Sequence, residues 1–203
     1  MNLIAGRKWT TLLFNPFVYT AGGQALGLGV AVIVAVAMAG FASHTHFDGV
    51  LDMHSGARAT LVFFLAEGFI DWLSLALVLI VLGKIVSKTS FRIVDVLGTQ
   101  ALARWPTLFL ALLTLPPAFQ RYGRVLVEQV TRHPTQPPPI TPDAIYFFAA
   151  TLLTLPLLVW MIALMYNAYT VSCNVKGGKA VSTFIAGLVL AEIISKVVIY
   201  SLR

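Results

Sequence analysis

The sequence predicts an all-α, polytopic membrane bundle of about five transmembrane helices, with the N-terminus inside and the C-terminus outside. Three observations carry that expectation. Of 203 residues, 58% are hydrophobic and 11% charged. A soluble domain carries about 25% charged residues, so most of this surface faces something other than water. Five apolar segments, roughly 17–42, 60–83, 93–116, 143–172 and 180–201, each meet the ~20 residues that cross a bilayer core. The basic excess, 14 Lys+Arg against 8 Asp+Glu, sits at the edges of these runs rather than on one polar patch. That placement reads as membrane topology and speaks against nucleic acid as a partner.

Residues 1–16 read as an interfacial amphipathic lead-in. Trp9 and Phe14 suit the headgroup region, and Arg7 and Lys8 suit anionic lipid. Asn15-Pro16 punctuates the start of a single five-helix membrane domain, 17–203. Ala35-Val36-Ala37 resembles a signal cleavage site, but the surrounding run far exceeds the ~7–15 residues of a signal h-region, so it reads as helix one. Gly23 and Gly27 form a GxxxG, which permits close helix contact. Pro106 and Pro156 predict kinks in helices three and four. The proline-rich stretch 134–142 reads as extended, with Thr141 capping helix four and Pro142 at its first position.

Orientation follows from the cations. An inside N-terminus puts Arg7, Lys8, Lys84, Lys88, Arg92, Lys176 and Lys179 on the inner face, against Arg58, Arg121, Arg124, Arg132 and Arg203 outside. Cys173, the only cysteine, then lies on the reducing side with no disulfide partner in the chain. The inverted-repeat signature of many transporters is missing.

Three stretches resemble the Yip-domain family in its bacterial form. They are Phe14-Asn15-Pro16-Phe17, the run Asp95-Val96-Leu97-Gly98-Thr99-Gln100-Ala101-Leu102-Ala103-Arg104-Trp105-Pro106, and Trp160 to Ala180 with Gly177-Gly178-Lys179-Ala180 leading into helix five. The resemblance implies a five-helix bundle with a cytoplasmic N-terminus. It also implies a non-enzymatic role in membrane organisation or as a partner-binding scaffold, in a bacterial cytoplasmic (inner) membrane. Eukaryotic relatives are associated with Rab-type GTPases and secretory-membrane organisation. The expected partners are the lipid bilayer and a protein partner or a second copy of the chain.

Two constellations bear chemistry. The loop between helices one and two holds His44, His46, Asp48, Asp52 and His54, three of the four histidines beside two carboxylates. Imidazole and carboxylate together suit Zn2+ or another divalent cation, and Glu67, one helix below, is placed to complete such a site. The plain alternative is a polar loop whose Asp and His cap helix ends. The second constellation is the intramembrane charges Glu67, Asp71, Arg104, Glu192 and Lys196. Such groups are costly in lipid and are paired or functional. Counting about 1.5 Å per residue from Lys84, Arg92 and Lys179 puts Asp71, Arg104 and Glu192 at one height, about 18–20 Å, and Glu67 and Lys196 near 25 Å. Those heights predict the pairs Asp71–Arg104 and Glu67–Lys196, and they leave cation or proton translocation as the alternative function. No HExxH or GxSxG run supports hydrolysis.

Overall fold

Five helices long and apolar enough to cross a membrane dominate the computed structural model, which describes residues 9–132 and 138–202. Arg7, Lys8 and Arg203, and residues 134–137 of the proline-rich stretch, lie outside the described residues. A short helix α1 (Trp9–Phe14) leads into a 3-10 turn at Pro16–Val18, which opens with proline at its first position. The first span, α2 (Gly22–Ser43), begins five residues later than the apolar pattern predicts. Pro16 and the left-handed Gly22 (φ 59°) break the chain there, because a left-handed residue is open to glycine at little cost.

The second span is α3 (Leu61–Val86), capped by the Thr60 hydroxyl, which accepts from the Phe63 N–H. The third is interrupted. α4 (Ile93–Leu102) and α5 (Thr107–Thr114) are separated by a tight turn over 103–106 that ends in Pro106, whose ring removes a ladder N–H. The fourth span is α7 (Pro142–Cys173). It starts as the sequence predicts, with the Thr141 hydroxyl accepting from Ala144 N at 3.2 Å and Pro142 first in the helix. Pro156 sits inside α7, which is helical throughout. The fifth is α8 (Gly177–Ser201). The connections at 87–92 and 174–176 are short, so successive spans run back and forth.

An unforeseen element, α6 (Pro117–Arg132), fills part of the connection between the third and fourth spans. It is polar on one side and lays Phe119 and Tyr122 on α7, with the Phe119 and Phe147 rings 4.8 Å apart. The described part of the lead-in is also docked at its end. Trp160 donates its indole N–H to the Leu13 carbonyl at 2.9 Å, and the Asn167 amide donates to the Phe14 carbonyl at 2.7 Å, both from α7.

Packing follows lipid logic. With no hydrophobic drive between helices, close backbone approach by small residues does the work. α2 packs most extensively on α4, through Ala25 and Gly29 against Gly98 and Ala101. A Cβ on Gly29 would overlap Ala101, and one on Gly98 would overlap the Gly22 carbonyl. The predicted GxxxG pair is not the seam: Gly23 and Gly27 have nothing within reach of a Cβ, because they leave the helix on the face turned away from α4.

Candidate functional site

The loop between α2 and α3 does not stand above the bundle but folds into it. α2 ends in His44 at φ 53°, a left-handed cap whose N–H bonds Gly40 O. Two short strands follow, β1 (Thr45–His46) and β2 (His54–Ser55), paired antiparallel with His46 opposite His54. The stretch between them dips inward until Val50 is 1% exposed. There the Val50 carbonyl accepts from Arg104 Nη2 at 3.5 Å, and Leu51 N donates to Glu192 Oε2 at 3.1 Å. Gly49 allows this approach, since a Cβ there would overlap the Glu192 carboxylate. The loop is also tied laterally, where Gln120 of α6 donates to the Thr45 hydroxyl at 3.2 Å.

The loop's titratable groups divide between two places. On one side, His46 Nδ1 lies 2.8 Å from Glu67 Oε1, and both residues are buried. His46 Nε2 lies 2.9 Å from the Ala57 carbonyl. A carbonyl only accepts, so Nε2 carries the proton and Nδ1 faces the carboxyl group. The pair therefore shares one further proton, as imidazolium with carboxylate or as imidazole with carboxylic acid. Phe64 stacks on the His46 ring at 4.5 Å and His54 at 5.5 Å, while His54 Nδ1 reaches Asp48 Oδ1 at 3.0 Å. On the other side, Asp52 Oδ2 takes Lys196 Nζ at 2.6 Å, and Lys196 also meets Glu192 at 3.4 Å. The hydrogen bond from the Lys196 ammonium holds the Asp52 carboxyl below its ordinary pKa.

This division corrects two expectations. The proposed ligands do not converge: among the described residues no group of three or more His, Cys, Asp or Glu is placed to hold a metal ion. Lys196 draws Asp52 away, His44 turns aside at the helix cap, and His46 has each ring nitrogen engaged by the protein, where a metal needs a free lone pair. The second correction concerns Glu67, which pairs with His46 and not with Lys196. Counting residues gives the height of a side chain along its helix, not the direction in which it leaves.

The deeper level is as the heights predict. Asp71, fully buried, lies 3.5 Å from Arg104 Nη2, and Arg104 is 5% exposed. Ser195 donates a short hydrogen bond to the other Asp71 oxygen. Ser195 sits between Glu192 and Lys196 on one stretch of α8, and as an uncharged side chain it carries no signal of this role in the sequence. Arg104 lies in the tight turn between α4 and α5, so Pro106 helps set where the guanidinium points.

Glu67, Asp71 and Arg104 border a small, partly open cavity of about 40 Å³ roofed by the inserted loop. Most of its wall is apolar, but the three charged side chains give a space of that size polar partners for one or two water molecules. Gln100, another buried polar residue not singled out by the sequence, anchors α4 to the Met165 carbonyl of α7 at 3.0 Å. Away from this cluster, on the bundle's surface, Arg121 makes a two-pronged bond to Asp143, 2.6 and 2.8 Å, which raises the guanidinium pKa. No family model, curated protein or solved structure matches the chain, so the arrangement is read from its own residues.

Proposed function

We propose that this chain is a non-enzymatic membrane scaffold of the Yip type, acting in membrane organisation or partner binding. One observation supports it above the rest. Each intramembrane charge is engaged in holding the fold: Asp71 with Arg104 and Ser195, Glu192 with the loop backbone, Lys196 with Asp52, and Glu67 with His46. Side chains used this way serve architecture, and buried charges in membranes are paired for that purpose as well as for transport. The orientation that goes with this reading has the N-terminus in the cytoplasm of a bacterial cell and the C-terminus beyond its inner membrane. A reporter fused after residue 203 is then active only on the outer side, and activity in the cytoplasm overturns the topology.

A second reading, proton or cation translocation, is favoured by one specific feature. Glu67 and Asp71, both titratable, border the same water-sized cavity, and Glu67 shares a proton with His46. One experiment separates the two. Purified protein is sealed into vesicles under an imposed proton gradient. The scaffold reading expects dissipation no faster than in empty vesicles. Faster dissipation that Glu67→Gln abolishes would overturn the scaffold in favour of translocation.

A further inference from the structure

Between the β-hairpin, α6 and α7 lies an open groove of about 910 Å³, separate from the buried charge cluster. Its size is that of a small-molecule site. Its floor is apolar: the Phe119 ring of α6 and the Phe147 ring of α7 meet there at a tilt, and Val127 and Leu126 extend the wall. Thr151 and Thr154 of α7 continue it, 9 and 12 residues beyond Pro142, so the groove follows α7 downward for about 14–18 Å. The residues that follow each threonine on this apolar span, Leu152 and Leu155, are 69% and 61% exposed.

The polar wall has the opposite character. Arg58, three residues past β2, and Arg124 from α6 both line the groove, both are exposed, and neither has a carboxylate partner among the described residues. The nearby Arg121, by contrast, is held by Asp143. His44 and His54 add two imidazoles, and Glu128 is the single acid in the lining. A guanidinium presents a planar fork that matches two oxygens of a phosphate, and two such forks above an apolar channel match an amphiphile with an anionic head. One end of this site is cationic and the other opens toward hydrocarbon. A free phosphate would use only the first half, and a zwitterionic lipid would bring a cation against two uncompensated arginines.

We infer that this groove is a binding site for a phospholipid with a net negative headgroup, the phosphate held by Arg58 and Arg124 and an acyl chain laid along Phe147 toward Thr154. The inference rests on the bundle's residence in a membrane and is independent of the scaffold role and of orientation. A groove blind to charge leaves both of those standing.

The test uses the full chain in a neutral detergent, with bound lipids counted by native mass spectrometry. Phosphatidylglycerol and phosphatidylcholine with identical acyl chains are added at equal concentration. Wild type retains phosphatidylglycerol over phosphatidylcholine by about tenfold, the difference that one good charge-assisted contact makes. The Arg58→Gln, Arg124→Gln double variant brings the two to parity, and Glu128→Gln widens the preference. Arg121→Gln, which removes a cation of the same helix outside the groove, leaves it unchanged. Thr151→Trp, which fills the apolar channel, lowers retention of both lipids. An unfolding midpoint for each variant shows that the fold survives these surface changes. Equal retention by wild type overturns the inference, as does a preference that survives the double substitution or is lost equally on removing Arg121. Complete displacement of phosphatidylglycerol by glycerol 3-phosphate in excess also overturns it, since the apolar half would then contribute nothing.

Discussion

Two seams hold this bundle together, and they work by different physics. The α2–α4 seam is built from small residues: Ala25 and Gly29 meet Gly98 and Ala101 with backbones almost touching, and its one charge, Asp95, lies at the end beside Gly22. The end of the α3–α8 seam nearest the inserted loop, with Arg104 beside it, carries charges instead: Asp71, Glu192 and Lys196 from the helices and Asp52 from the loop. In lipid neither seam gains from apolar burial as a soluble core would, because the chain's apolar surface is as well solvated by acyl tails as by itself. The first gains dispersion contacts by bringing atoms close. The second is specific because any wrong pairing leaves a charge unpartnered in hydrocarbon. The tight seam is therefore broken by adding atoms and the polar seam by removing them.

The largest expected effect is at the polar seam. Arg104→Gln leaves Asp71 buried without its cation and should cost about 3–5 kcal/mol, read as a lower unfolding midpoint in a denaturing-detergent titration. The Asp71→Asn, Arg104→Gln pair should recover part of that loss, and additive losses would show that the two groups do not interact. Next comes the tight seam. Gly29→Leu drives a side chain into the Ala101 backbone and should cost at least the ~1–3 kcal/mol of an overpacked core. Gly27→Leu, two residues away with open space around it, should stay within about 0.5 kcal/mol. Equal costs at both positions would mean that the seam is misplaced around α2.

A smaller effect tests the loop's seat. Gly49→Ala should displace the Glu192 carboxylate and forfeit its bond from Leu51 N, at about 1 kcal/mol. Amide exchange at Leu51 should rise with it, and an unchanged rate would contradict a loop held by Glu192. The smallest concerns pH. The Asp52 carboxyl titrates below its ordinary value of 3.8 in the folded chain. Its contribution is therefore fully present above that value and is lost as pH falls through the lower folded pKa. The pair is half exposed, so screening keeps it under about 1 kcal/mol. Asp52→Asn should remove that part of the acid dependence. A stability that falls with pH identically in both proteins would assign the dependence elsewhere.

Much of this was legible before folding, for reasons that differ by element. The spans were legible because a bilayer imposes a length and an apolarity on any stretch that crosses it. The start of α7 was legible because Thr141-Pro142 carries its own local chemistry, a hydroxyl acceptor and a residue with no N–H to satisfy. The Asp71–Arg104 pair was legible from height alone, since both charges face inward at one level. α6 was not, because Pro117 and the charges along it interrupt any apolar run, and its two-sidedness becomes stable only against Phe147 of α7. The GxxxG at Gly23 and Gly27 misled because a spacing says that two glycines share a face without saying which helix that face meets.

By itself, then, the sequence determined what short-range chemistry and the bilayer dictate: five spans, the cap of α7, the break at Pro106, and the shared height of Asp71 and Arg104. The tertiary structure alone decided partners. It turned Glu67 toward His46 and Asp52 toward Lys196, and it sank Val50 to Arg104. The rotation of each helix about its axis and the path of the 44–58 loop are set by contacts between residues far apart in the chain. Those contacts exist only once the helices have packed, so no local pattern of residues encodes them.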